Sequence, residues 1–250
     1  MKVKKILVSQ PMPAGGVSPF CTLEGKYNVK VVFRPFIKTE VFSAKEFRAQ
    51  KINISDYTAL CFTSVKCIDY FFQMAKEMRV TIGDEMKYFC STETIANYLQ
   101  KYINFRKRKV FFGNSGAMSD LMTVVKKHLN ESILVIRPES NNEELVDAFD
   151  AAGVNYKLGI ICKTVSNDFE EGEAFDYDMI LFFSPHGVEA LKRNFPDWEQ
   201  GEVVIGCSGK LTAQEIKDAG FRLDIETPGP KYTSLPEAVD DFIKENHKRR

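Results

Sequence analysis

Short apolar runs alternate along the chain with segments in which apolar residues recur every three or four positions. The short runs are typical of buried strands, and the periodic segments are typical of helices that pack on a sheet. Their regular alternation predicts βα units around mostly parallel sheets. The predicted strands are Lys5–Val8, Val29–Phe33, Ala59–Phe62, Lys87–Phe89, Val110–Phe112, Ile133–Ile136, Lys157–Ile161, Met179–Phe183, Val203–Ile205 and Leu223–Ile225.

Four pairs of segments resemble one another, which indicates an internal repeat. The pairs join residues 6–11 with 133–138, 62–64 with 182–184, the strand before Thr94 with the strand before Thr212, and the helix 119–129 with the helix 233–243. When these four pairs are lettered A to D in the order given, the units follow one another along the chain as A, then B-C-D-A, then B-C-D. This order predicts that one lobe is inserted into the other, because the first A then joins the distant B-C-D.

The repeat therefore predicts a discontinuous first lobe, residues 1–36 plus 168–250, and an inserted second lobe, residues 40–163. Linkers are expected at 35–41 and at 163–175, and the second of these segments is polar and acidic. The predicted fold is α/β, with two similar flavodoxin- or Rossmann-like lobes, mostly parallel sheets and two linker strands. Two linkers would permit a hinge motion while limiting twist.

Ser64 and Ser184 each follow a predicted strand and precede a helical pattern. A serine there can cap the helix, and the free N–H groups of the first turn suit a carboxylate or phosphate. Plain capping is the alternative for either residue, and Pro185 favours it at Ser184. Because the arrangement occurs in both lobes, we expect the two turns to border one shared cleft for an anionic ligand.

Other polar residues near these turns have structural as well as functional interpretations. Thr212 with Glu215 fits a capping box. The turn Gly206-Cys207-Ser208-Gly209-Lys210 can bind an anion through backbone amides, although it lacks the spacing of known nucleotide motifs. Lys66 and His186 also stand in such turns. A Ser–His hydrolytic site at Ser184 and His186 is disfavoured, because side chains two positions apart diverge at a helix start.

The composition argues against several classes of partner and site. The 34 Lys+Arg balance 34 Asp+Glu, so no overall field favours nucleic acid or membranes. The six cysteines show no CxxC spacing, which favours reduced thiols and a cytoplasmic protein. The apolar run near the amino terminus is too short for a signal peptide. Three histidines far apart in sequence give little support for a metal site.

Several short motifs occur in an order that resembles the uroporphyrinogen-III synthase family over nearly the whole chain. They are Phe62-Thr63-Ser64, the segment 182–188 (FFSPHGV), Ile205-Gly206 leading to Thr212-Ala213, and Thr227-Pro228 leading to Ser234-Leu235. The resemblance implies two α/β lobes with the active site between them. It also implies conversion of hydroxymethylbilane, a linear tetrapyrrole with eight carboxylates, into uroporphyrinogen III in haem biosynthesis. Water is lost, the last pyrrole ring is inverted and no cofactor is used.

The resemblance and the turns together give the predicted site. The catalytic candidates are Thr212, Thr94 and Tyr232. The substrate-binding candidates are Ser9, Gln10, Thr63, Ser64, Lys66, Thr92, Arg137, Ser184, His186, Gly187, Ser208 and Lys210. The only expected partner is the small-molecule tetrapyrrole substrate. The protein is expected to be a monomer that binds no nucleic acid, membrane or metal.

Two positions depart from the family pattern. Gln10 replaces an arginine, and Cys162 stands where the family has a tyrosine considered as a proton donor. A water or another hydroxyl, such as that of Tyr232, would have to replace that donor. A tetrapyrrole- or anion-binding homologue with weakened catalysis is therefore the alternative function. A phosphate-ester enzyme on a flavodoxin-like scaffold would need an acidic metal-binding cluster at the strand ends, and the sequence shows none.

Overall fold

The computed structural model describes residues 3–139, 143–170 and 172–248. The chain divides into two compact units, one of Met1–Lys38 with Val165–Arg250 and the other of Thr39–Thr164. Residues 1, 2, 140–142, 171, 249 and 250, which fall within the predicted lobes and the second predicted linker, lie outside the described residues, as does the side chain of His247.

The described residues form eleven strands and nine α-helices. The strands are β1 Lys5–Val8, β2 Lys30–Phe33, β3 Ile37–Val41, β4 Ala59–Phe62, β5 Lys87–Cys90, β6 Val110–Phe112, β7 Ser132–Glu139, β8 Asn155–Ser166, β9 Met179–Phe182, β10 Val204–Ser208 and β11 Ile225–Thr227. The helices are α1 Thr22–Tyr27, α2 Ala44–Ala49, α3 Val65–Glu77, α4 Glu93–Tyr98, α5 Met118–Val125, α6 Glu143–Ala152, α7 Pro185–Asn194, α8 Lys210–Asp218 and α9 Leu235–Lys248.

The strand order is the same in both units. The first unit has the order β11-β10-β9-β1-β2, and the second has β6-β5-β4-β7-β8 with β3 added beyond β8. Each of these five-strand orders contains four pairs of neighbouring strands, and all four pairs are parallel in both units. The predicted α/β fold with two similar lobes is therefore confirmed, and the permuted repeat corresponds to equivalent strands.

Each sheet is covered by helices on both faces. In the first unit, Ile6 and Val8 pack with residues of α1 and α9, while Leu7 packs with residues of α7 and α8. In the second unit, β4 alternates in the same way between one cluster that includes α3 and another that includes α5 and α6. Burial on both faces explains why the central strands β4 and β9 are uniformly apolar.

The segment 35–41, predicted to be a linker strand, contains β3. This strand belongs to the second sheet, where it occupies the edge beside β8. Its residues from 38 to 41 are exposed and include Lys38 and Glu40. An edge strand with one exposed, charged surface lacks the apolar run that marks a buried strand.

No helix in the described part of the chain is long and apolar enough to cross a membrane.

Arg34 joins the two chain segments at which the first unit is interrupted. Its guanidinium donates hydrogen bonds to the carbonyl oxygens of Pro35, Asn167 and Asp168, at 2.8 to 2.9 Å, and pairs with Glu173 at 3.1 Å. It also lies 3.8 Å from the centre of the Phe169 ring. Backbone bonding between the segments, from the Asn167 N–H to the Phe36 carbonyl at 2.8 Å, reinforces the junction.

We expect Arg34→Ala to lower the free energy of unfolding of this unit by about 3 kcal/mol, because three carbonyl groups and a carboxylate lose a planar donor. The chain's single tryptophan, Trp198, packs against Phe175 and Phe221 in the same unit. Urea unfolding followed by its fluorescence measures the effect. Arg34→Lys keeps the charge but not the fork of donors, so it should recover less than half of the loss. An unchanged midpoint for Arg34→Ala would contradict this account.

Candidate active site

All nine predicted site residues of the first unit lie at or after the carboxyl ends of its strands. Because β1, β9, β10 and β11 are parallel, the residues that follow them share one edge of the sheet. Open α/β sheets bind ligands at this edge. The predicted residues there are Ser9, Gln10, Ser184, His186, Gly187, Ser208, Lys210, Thr212 and Tyr232.

Ser9 and Ser184 place two hydroxyl groups near Gly187. A Cβ atom added to Gly187 would lie 3.8 Å from each Oγ atom. Ser184 is the N-cap of α7 and accepts a 3.3 Å hydrogen bond from the Gly187 N–H, so its predicted capping role is confirmed. The Ser9 hydroxyl belongs to a residue that is only 7% exposed, and it makes no hydrogen bond to a described residue. Buried hydroxyls rarely lack a partner, so Ser9 is a candidate for ligand contact.

Thr212 lies inside the first turn of α8. The helix begins at Lys210 after Gly209, whose φ of 100° turns the chain out of β10. The predicted capping box of Thr212 with Glu215 is therefore wrong, since the N-cap lies three residues earlier. Thr212 is 3% exposed, and its hydroxyl makes no hydrogen bond within the described part of the chain. It is thus a second buried hydroxyl without a partner at the same edge.

The remaining binding candidates of this unit are more accessible. Gln10 and Lys210 are exposed, and Ser208 is half-buried at the end of β10. The His186 Nδ1 lies 2.9 Å from Glu189, one turn along α7. These side chains line the solvent side of the edge, where they can contact charged groups of a ligand at little cost in desolvation.

Tyr232 lies in the loop between β11 and α9. Its hydroxyl donates a hydrogen bond to Asp241, and the Lys231 ammonium pairs with the same carboxylate at 2.8 Å. The bond to Asp241 raises the pKa of Tyr232 above its ordinary value, although Lys231 opposes this effect. The phenol is consequently protonated at neutral pH, and its proton is directed at Asp241.

The second unit places its predicted residues in the same way. Thr63, Ser64 and Lys66 follow β4, and Thr92 and Thr94 follow β5, at the carboxyl edge of parallel strands. Arg137 lies near the carboxyl end of β7, beside the register shift between Arg137 and Pro138. Each unit thus has its own polar edge. The expectation that both edges border one cleft stays a prediction.

Ser64 is the N-cap residue of α3, yet its side chain does not cap the helix. The predicted cap hydrogen bond is therefore wrong here, in contrast to Ser184. The Ser64 hydroxyl lowers the pKa of the Cys67 thiol and the Cys162 thiol raises it, so both groups lie near Cys67. The first-turn N–H groups of this 13-residue helix are consequently not occupied by the serine.

The two predicted catalytic threonines differ in their surroundings. Thr94 is exposed in the first turn of α4, whereas Thr212 is buried. Thr92 caps α4 by accepting a 3.3 Å hydrogen bond from the Ile95 N–H. The sequence repeat equated Thr94 with Thr212, but the structure brings only Thr212 into a buried, unpartnered position.

Arg137 is 4% exposed, and its Nε donates to the Pro138 carbonyl at 3.1 Å. Burial lowers the pKa of the guanidinium, but an arginine remains charged at physiological pH.

The thiol of Cys67, in α3, lies near the thiol of Cys162, in β8. Burial raises the pKa of Cys67 to about 11 and also raises that of Cys162. The charge of Lys66 lowers the pKa of Cys162, so the Lys66 ammonium lies close to that thiol. Both thiols are neutral at physiological pH. Each of the six cysteines is a free thiol.

Sequence reasoning missed Ser91. It follows β5, is 7% exposed, and its hydroxyl makes no hydrogen bond to a described residue. The carbonyl oxygen of Ser91 lies 3.0 Å from the position of a Cβ atom on Gly113, so a side chain would be crowded there. Ser91 directly follows its strand, as Ser9 does, and a wider comparison of strand ends would have identified it.

The described residues contain no group of three or more His, Cys, Asp or Glu side chains arranged to hold a metal ion. The candidate residues at the two edges supply hydroxyls, backbone amides and cations. Such groups recognise carboxylates and stabilise charge by position.

A family model described as uroporphyrinogen-III synthase HemD matches residues 22–237. Among curated proteins, none matches the sequence. A mutant uroporphyrinogen III synthase from Thermus thermophilus is 12% identical, with 98% of this chain and 100% of that chain covered and a TM-score of 0.50. A uroporphyrinogen-III synthetase from Helicobacter pylori is 14% identical, with 97% and 99% covered and a TM-score of 0.55. At these identities the two structures support the fold.

Proposed function

The chain belongs to the uroporphyrinogen-III synthase family, and we propose that the polar edges of its two units bind the carboxylates of the family's substrate. As a member of this family it is a cyclising hydro-lyase of tetrapyrrole biosynthesis. Its reaction closes hydroxymethylbilane to uroporphyrinogen III with inversion of the last pyrrole ring and loss of water. The observation on which this function rests is the family match over residues 22–237, which includes most residues of both edges.

The residues at the edges suit a substrate with eight carboxylates. The first-turn amides of α3, the buried Arg137 and the exposed Lys66 and Lys210 provide positive charge and donors. A hydrogen bond in which the donor or the acceptor is ionised is roughly twice as strong as one between neutral groups. Several such contacts can hold a flexible tetrapyrrole in one conformation.

Conformation decides the product of this reaction. The electron-rich pyrrole assists loss of the hydroxymethyl oxygen and gives an azafulvene-like cation, which closes without ring inversion when it is free in solution. Formation of the type III isomer requires the end ring to attack through a spiro intermediate. Binding that fixes this geometry can lower the barrier without a catalytic triad.

We propose that Thr212 donates a hydrogen bond to the departing hydroxyl or to a carboxylate of the reacting ring. Its hydroxyl is buried and has no partner among the described residues, so it is free to make this contact. A preorganised donor in a water-poor site stabilises developing charge without reorganisation. Ser9 and Ser184 are proposed to contact the same substrate region from β1 and α7.

Tyr232 is proposed as the proton donor that replaces the tyrosine absent at position 162. Its hydroxyl is protonated at neutral pH, and in this proposal it turns from Asp241 to the departing hydroxyl of the substrate, which leaves as water. We expect Tyr232→Phe to lower kcat about 10-fold or more, because general acid catalysis is typically worth at least this much. Tyr156→Phe, which removes a hydroxyl bonded to Asp150 in the other unit, is the control. An unaltered kcat for Tyr232→Phe would remove Tyr232 from the mechanism.

We further propose that the protein acts in the cytoplasm as a monomer without nucleic acid. The free thiols and the balanced charge support this setting. The large apolar side chains that are exposed in the described part of the chain are few and spread along it. Sedimentation equilibrium at micromolar concentration should give the monomer mass, and a dimer mass would contradict the proposal.

The test of the function supplies freshly prepared hydroxymethylbilane and separates the isomers of the product. The protein should consume the substrate faster than the spontaneous reaction and yield the type III isomer. Only the type I isomer, at the spontaneous rate, would show that the chain does not convert the substrate.

A further inference from the structure

The second unit contains a cavity of about 360 Å³ that none of the predicted site residues lines. It lies beside Met86 and Lys109, which immediately precede β5 and β6, and beside the carboxyl-terminal half of α3. Since Ser64 and Thr92 follow the carboxyl ends of their strands, the cavity is at the opposite edge of the sheet. Its volume is within the range of small-molecule sites.

Aromatic and aliphatic side chains form much of the cavity wall. The rings of Phe72 and Tyr102 stack with centroids 4.6 Å apart and planes 2° apart. Ile82, Ile103 and Val110 add aliphatic surface. A flat apolar ring is the ligand group that such walls contact best.

Tyr88 lines this cavity and carries an unsatisfied polar group. The residue is 4% exposed, and its hydroxyl makes no hydrogen bond to any residue that the structure describes. Burial raises its pKa, so the hydroxyl stays protonated and remains a donor. A buried donor without an acceptor is rare and calls for a ligand atom or water in the cavity.

Positive charge predominates around the cavity. Lys76, Arg106 and Lys109 line it together with a single carboxylate, Asp84. Arg106 is 3.8 Å from that carboxylate, and Lys109 pairs with Glu85 at 2.9 Å. Lys76 is exposed and has no ion-pair partner among the described residues. The surroundings therefore favour a negatively charged ligand group at the solvent side.

We propose that this cavity binds a small aromatic acid that carries a second oxygen acceptor. The ring lies against Phe72 and its apolar neighbours, the carboxylate faces Lys76 and Arg106, and the second oxygen accepts the hydrogen bond of Tyr88. This inference rests on the cavity alone and is independent of the proposed reaction at the other edge.

The test compares three related probes by isothermal titration calorimetry on the full chain. They are 6-hydroxy-2-naphthoate, 2-naphthoate, which lacks the hydroxyl acceptor, and 6-hydroxy-2-naphthamide, which lacks the charge. We expect the hydroxy acid to bind about tenfold more tightly than either of the others. 2-Naphthoate lacks the hydrogen bond to Tyr88, the amide lacks the charge contact, and one such contact accounts for a difference of this size.

Tyr88→Phe removes only the unpartnered hydroxyl and should leave folding unimpaired. In this variant the hydroxy acid and 2-naphthoate should bind equally, whereas the control Tyr156→Phe should keep the tenfold preference. The proposal is overturned by equal binding of the three probes to the unsubstituted chain, by a hydroxyl preference that persists in Tyr88→Phe, or by no binding below about 1 mM. Because binding is the readout, failure would leave the proposed reaction unaffected.

Discussion

Thr212→Val is expected to lower kcat for uroporphyrinogen III formation roughly 100-fold while the protein stays folded. The substitution keeps the shape of the side chain and removes a hydroxyl that is buried without a partner in the described part of the chain. Loss of an unpartnered polar group should leave the free energy of unfolding unchanged or raise it slightly. A fall in activity would therefore report the hydroxyl's contact with the substrate.

The matched control is Thr212→Ser, which keeps the hydroxyl and loses only a methyl group. It should retain most of the activity, even though the small cavity lowers stability. Steady-state kinetics and thermal unfolding on the three proteins separate the two effects. If Thr212→Val kept full activity, Thr212 would be a packing residue only.

Ser64→Asp is expected to stabilise α3 and to raise KM about 30-fold. Asp is a good N-cap and its negative charge suits a helix amino terminus, so thermal stability should rise. The same carboxylate would occupy the first-turn amides that Ser64 leaves open and would repel a substrate carboxylate. Loss of a charge-assisted contact of about 2 kcal/mol corresponds to this change in affinity.

Ser64→Asn is the control for this prediction, because Asn caps a helix about as well without a negative charge. It should stabilise α3 with a clearly smaller rise in KM. Enzyme kinetics together with thermal unfolding test the pair. Equal KM values for the two variants would show that no substrate carboxylate binds at α3.

The fold was predictable wherever apolar residues are buried on both faces of a sheet. β4 and β9 are continuous apolar runs followed by a serine and a helical pattern, and both form where predicted. The permuted repeat was readable because equivalent strands retain these patterns. The place of β3 in the second sheet was not predictable, because an edge strand contributes little apolar surface and its exposed residues resemble a linker.

The site was predictable in position but not in detail. Residues after strands had to lie at one edge, which located Ser9, Ser184 and Thr212. Sequence could not show that Thr212 is buried while Thr94 is exposed, because that depends on where each helix begins. It also could not show that the Ser64 side chain leaves the first turn of α3 uncapped.

Unsatisfied polar groups are the features that only three-dimensional packing reveals. Ser91 and Tyr88 are ordinary strand-end and strand residues in sequence. Their hydroxyls gain significance because each is buried without a hydrogen-bond partner among the described residues. Neither residue type nor spacing encodes that property.

The isomer composition formed in a single turnover tests the central claim most directly. Excess protein is mixed with freshly prepared hydroxymethylbilane, the reaction is stopped within one turnover, and the products are oxidised and separated. A synthase that fixes the end ring should give almost only the type III isomer, faster than spontaneous closure. Type I product at the spontaneous rate would contradict the account.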